Sequence, residues 1–149
     1  MKNLTSLTCA AALAFAMPAF AEIMITDPYA RAANTMAGAA FMMIENTGEK
    51  DDRLIDARSD ISRRVELHTH KDMGEGIMKM IHVEEGFVIP AGGMQALKRG
   101  GNHVMFMGLN QPMEQGGEIT LTLIFEKAGE ISLTIPVDLE RKAMHGHDH

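Results

Sequence analysis

From Glu22 onward the chain alternates apolar and polar residues in short runs, broken at close intervals by turn-forming residues. Side chains two apart share one face of a strand, so alternation marks a strand with one buried face. Ile119-Thr120-Leu121-Thr122-Leu123 and Ile131-Ser132-Leu133-Thr134-Ile135 are the clearest cases, and Ala128-Gly129 between them predicts a terminal hairpin. The same reading predicts strands over 23–26, 39–45, 53–57, 64–70, 77–82, 86–89, 95–98, 103–109, 118–126 and 130–137. Asn46-Thr47-Gly48, Pro90-Ala91-Gly92-Gly93, Arg99-Gly100-Gly101-Asn102 and Gln115-Gly116-Gly117 supply the proline and positive-φ positions that tight connections need. No amphipathic helix, repeat or linker interrupts the series. Short, regularly spaced strands of this kind predict an all-β, two-sheet antiparallel sandwich.

The first 21 residues stand apart from that pattern. Lys2, the apolar run from Leu7 to Phe15 and the small-x-small signal Ala19-Phe20-Ala21 before Glu22 predict a Sec-type signal peptide and a periplasmic protein. The run is shorter than the roughly 20 residues a spanning helix needs. The only cysteine, Cys9, lies inside this segment, and Ser6-Leu7-Thr8 before it matches a lipoprotein cleavage site poorly. The mature part is therefore expected to be free of cysteine and held by core burial alone, as one domain over 22–138 with a polar tail over 139–149. With 14 Lys+Arg against 20 Asp+Glu, a net charge of −6, the chain is a poor nucleic-acid binder, and cations or basic surfaces are its natural partners.

Parity gives the strand pattern a chemical meaning. His68, His70, Met78 and Met80, then His103, Met105 and Met107, stand at even spacings, so each group shares a strand face. Thioether sulfur with imidazole suits Cu(I) better than Zn, Mg or Ca. If the strands around 71–76 form a hairpin, one register sets His68 opposite Met80 and His70 opposite Met78, at the edge of the sandwich. Val104 and Phe106 then point to the other face from His103. The competing reading makes Met78 and Met80 core fillers, since methionine packs into irregular gaps. Met42 and Met43 are read as core, and His82 as a surface histidine.

The stretches Val65-Glu66-Leu67-His68-Thr69-His70, Gly76-Ile77-Met78-Lys79-Met80, Ile89-Pro90-Ala91-Gly92-Gly93 and Gly100-Gly101-Asn102-His103-Val104-Met105-Phe106-Met107-Gly108-Leu109 closely resemble the PCuAC family of periplasmic copper chaperones. The likeness extends more loosely from Tyr29-Ala30-Arg31 to Pro136. It implies a cupredoxin-like Greek-key β-sandwich and a Cu(I) site of two His and two Met, which fall by position on His68, Met80, His103 and Met105. It also implies delivery to the dinuclear copper site of cytochrome c oxidase, with oxidase subunit II or a thiol copper chaperone as protein partner. Eleven residues separate His68 from Met80 and twenty-two separate Met80 from His103, one more in each stretch than the family pattern. The first departure leaves His70 and Met78 open as alternatives, with Met107 in reserve.

Other classes fit less well. A blue electron-transfer site needs a cysteine thiolate, and no triad, paired carboxylates, phosphate loop, HExxH or CxxC suggests an enzyme. A copper store or tolerance factor with the same site and no delivery partner is the remaining alternative. His145, His147 and His149 at alternate tail positions suit Cu(II) and predict a second, separate site.

Overall fold

The computed structural model describes residues 22–142, and the predicted signal peptide and His145, His147 and His149 lie outside the described residues. Ten strands follow in order: β1 (Ile23–Ala32), β2 (Ala37–Asn46), β3 (Asp52–Arg58), β4 (Ser62–Asp72), β5 (Met78–His82), β6 (Phe87–Ile89), β7 (Met94–Leu97), β8 (His103–Leu109), β9 (Glu118–Phe125) and β10 (Gly129–Pro136). They form two sheets. The larger runs β1-β2-β8-β4-β5, with β7 also on β2, and the smaller runs β10-β9-β3-β6. All named pairings are antiparallel, which makes the expected all-β sandwich. β8 sits between β2 and β4 rather than beside its chain neighbours, so distant stretches of sequence become adjacent.

The core lies between the sheets. Ala40, Met42 and Ile44 of β2, Leu67 of β4 and Val104 and Phe106 of β8 face Leu54 of β3, Leu121, Leu123 and Phe125 of β9 and Ile135 of β10. The terminal hairpin pairs Leu123 with Ile131 and Leu121 with Leu133, as alternation predicts. Met42 is core, whereas Met43, one residue on, is only half-buried, because neighbours in a strand cannot share a face. The buried Asp52 carboxylate accepts the backbone N–H groups of Lys127 and Ala128, at 2.9 and 3.0 Å, and so ties the β9–β10 turn to β3.

β1 is longer than its alternation suggests. Asp27 at φ 54° and Pro28 break the pattern, and the register with β2 shifts between Thr26 and Tyr29 before pairing resumes to Ala32. This irregularity lets Tyr29 and Arg31 join the outer face of the sheet.

Candidate metal centre

The candidate donors gather on the outer face of the larger sheet, from β8 across β4 to its edge strand β5. Val104 and Phe106 are fully buried in the core, so His103, Met105 and Met107 project from the opposite face of β8. Leu67 likewise turns inward and leaves Glu66, His68 and His70 outside on β4. His68 is directly opposite His103, while Met105 lies between Ala39 of β2 and Glu66 of β4. Five rings cross the sheet in the order Tyr29, Phe41, His103, His68, His82, with successive centroids 5.3, 6.1, 5.9 and 5.8 Å apart.

Beside this ladder opens a cleft of about 300 Å³, lined by His70, Met80, His103 and Met105 together with the half-buried Arg31 and the exposed Arg99. The His70 and His103 centroids are 5.4 Å apart. Two imidazoles that each hold one ion at about 2 Å have centroids about 5 Å apart in tetrahedral geometry. Both β4 histidines therefore stand near enough to His103 to share an ion with it.

Hydrogen bonds select which nitrogen each ring offers. His103 Nδ1 donates to the Gly101 carbonyl at 2.9 Å, which leaves the Nε2 lone pair free. His68 Nε2 donates to the Glu66 carboxylate at 2.8 Å, and its Nδ1 is buried without a hydrogen-bond partner. A buried polar atom left unsatisfied costs about 1–3 kcal/mol. The Glu66–His68 pair has the geometry of the carboxylate that orients a metal-binding histidine. Glu66 also bonds Arg64 and lies 3.8 Å from His82 Nδ1.

Burial pushes the His103 pKa down, and the nearby His70 and His68 add to this, against the Gly101 bond that pulls it up; the net value is below the ordinary imidazole range. Burial acts to raise Glu66, but the bonds from His68 and Arg64 outweigh it and hold the carboxyl below its usual range. Both shifts favour a neutral His103 and an ionised Glu66 at neutral pH.

The hairpin register differs from the one expected. His70, not His68, is opposite Met80; His68 pairs with His82, and Met78 pairs with Asp72. The cause is a short turn: Gly74, Glu75 and Gly76 all take positive φ, and Met73 N–H bonds the Ile77 carbonyl at 2.8 Å, so β4 continues two residues further than predicted. A shift of two keeps every side chain on its face and changes only its neighbours. Met78 is 55% exposed and Met80 40%, so neither is a core filler. His68, Met78 and Met107 do not line the cleft, and His82 is exposed as predicted.

With this geometry defined, the comparisons become informative. The LpqE-like family model, which describes lipoproteins, matches residues 23–137. The chain belongs to this family, which is of PCuAC type. Lxx21020 of Leifsonia xyli subsp. xyli, a protein named as a lipoprotein, is 32% identical over 115 residues, covering 77% of this chain and 69% of that one. Among solved structures, the copper-bound PCuAC domain of PmoF2 superposes with a TM-score of 0.65 at 25% identity, covering 82% of this chain and 97% of that domain. The Cu(I) form of DR1885 from Deinococcus radiodurans gives 0.62 at 26% identity, covering 83% and 85%. The cupredoxin-like fold implied by the sequence resemblance is thus the fold of the LpqE-like chain.

Three residues at or beside the cleft were not singled out from sequence. Glu66 shares the parity of His68 and was visible as Glu-x-His, whereas Arg31 and Arg99 come from β1 and the β7–β8 loop and meet the cleft only through the fold.

Proposed function

We propose that this protein is a periplasmic copper carrier that holds one Cu(I) through His68, Met80, His103 and Met105. The observation that carries the reading is the buried, unpartnered Nδ1 of His68, whose Nε2 is braced by Glu66, on a residue that pairs with His103 of β8. His70 is half-buried and lines the cleft opposite Met80, where water can satisfy its ring, so it is the alternate donor rather than the preferred one. Copper-bound structures of the PmoF2 domain and DR1885 support the choice of metal.

Two imidazoles and two thioethers form a neutral set that matches a soft monovalent ion and contains no thiolate to oxidise in an exported protein. A site on an open sheet face lets an acceptor's ligands replace these donors one at a time. That suits binding and handover rather than catalysis. By family resemblance the recipient is the dinuclear copper site of cytochrome c oxidase. The lipoprotein name of the Leifsonia relative supports export.

Competition with a Cu(I) chelator tests the assignment on wild type and on Met80→Ala, His103→Ala and Met105→Ala. Each is expected to lose at least about tenfold in affinity, and His68→Ala is expected to lose more than His70→Ala. Unchanged affinity in the first three overturns the site, and a greater loss in His70→Ala transfers the fourth position to His70. Copper transfer to an apo oxidase subunit II domain separates delivery from storage.

A further inference from the structure

The lining of the cleft carries an arrangement that binding a cation does not explain. Arg31 and Arg99 line it, and no carboxylate does, although the protein as a whole is acidic at −6. Among the described residues neither guanidinium enters an ion pair; Arg99 bonds only the Arg141 carbonyl, at 3.3 Å. Arg141, 4.1 Å above the Tyr29 ring, is by contrast neutralised by Asp27 and Asp138. Two uncompensated positive charges beside Cu(I) repel it. On the other side of the cleft the β4–β5 hairpin exposes Met73, Ile77 and Met78 to more than half of their full area, together with Met80. Arginine and methionine beside an apolar patch are the residue types enriched at protein interfaces.

The geometry points to the cleft as a docking surface for the acidic rim of a copper-accepting protein, with Arg31 and Arg99 engaging its carboxylates and the hairpin methionines packing around the exit. This rests on the proposed Cu(I) role. A planar guanidinium grips a carboxylate through two parallel hydrogen bonds, which gives orientation as well as attraction. Complementary charge chiefly raises the rate of encounter and fixes the docked orientation. Carboxylates arriving on the acceptor also neutralise the arginines at the moment of transfer, while an undocked protein keeps stray hydrated cations away.

The test uses two synthetic peptides with a Cys-x-x-Cys acceptor, one flanked by glutamates and one by glutamines. Cu(I)-loaded wild type at low salt is expected to transfer metal to the glutamate peptide about ten times faster, and the preference is expected to fade in high salt. Arg31→Gln/Arg99→Gln is expected to abolish the preference without weakening chelator-measured Cu(I) affinity, since it removes charges that repel the ion. Equal rates for the two peptides with wild type, or a preference that survives in the variant, overturns the proposal. Failure to load Cu(I) is a separate result that defeats the copper reading alone. In that case NMR of the metal-free protein decides the docking surface: the glutamate peptide is expected to shift resonances around Arg31 and Arg99, and the glutamine peptide is not. Self-association that is lost in the variant assigns the surface to a second copy of this chain and likewise overturns the acceptor reading.

Discussion

His103 shows how burial and hydrogen bonding fix the protonation of one proposed ligand. Its Nδ1 proton goes to the Gly101 carbonyl, its ring is only 2% exposed, and its pKa lies below the ordinary value. Imidazole must be neutral to bind metal, so its share of copper affinity is expected to persist below pH 6.5, the unperturbed value. A chelator competition run against pH checks this, and a loss centred at or above 6.5 contradicts it. The same shift affects stability. Unfolded His103 takes up a proton near pH 6.5 while the folded ring resists until lower pH, so the unfolded state binds more protons in that interval and stability falls as pH drops through it. Glu66, also lowered, adds a further loss as pH falls through its own folded pKa, below 4.5. Urea midpoints of the metal-free protein should therefore decline toward acid, with a flatter profile in His103→Gln. Glu66→Gln keeps the shape but removes the carboxylate that orients His68. It is expected to cost about tenfold in Cu(I) affinity, with a changed His68 ring-nitrogen NMR signature, and to lower the urea midpoint at pH 7 by the share the ionised carboxylate contributes, flattening the decline below pH 4.5.

At the scale of the element, β8 divides its work by parity. Phe106 and Met105 are adjacent, yet one is fully buried against both sheets and the other packs on the outer face against Tyr29, Ala39 and Phe41. Phe106→Ala is expected to lower stability by about 3–5 kcal/mol in urea unfolding and to leave the affinity of the folded fraction nearly intact. Met105→Ala should do the reverse. All ten strands were legible from alternation, and the bounds of β8 match the prediction at both ends. β1 was cut short because Asp27 and Pro28 interrupt the period-2 pattern on which that reading depends. Hairpin register was not legible either: hydrophobic pattern fixes which face a residue takes, but a slip of two preserves the pattern, and only the positive-φ turn at Gly74-Glu75-Gly76 selects His70 as the neighbour of Met80.

For the whole molecule, the sandwich separates stability from chemistry. The core lies between the sheets, and the donors stand outside on the larger one, so the site can exchange ligands without opening the fold. The tail histidines His145, His147 and His149 lie outside the described residues, and their proposed Cu(II) site is tested separately. Deleting residues 144–149 is expected to remove a Cu(II) site detectable by electron paramagnetic resonance and to leave Cu(I) competition unchanged. The alternating strands, the donor types, their parity and the absence of cysteine after Cys9 were all determined by the sequence, because each depends on local spacing or composition. Which donors from different strands become neighbours, and the arrival of Arg31 and Arg99 at the cleft, were decided only by the tertiary structure. Placing β8 between β2 and β4 and bringing β1 alongside depends on non-local strand pairing, which no local pattern encodes.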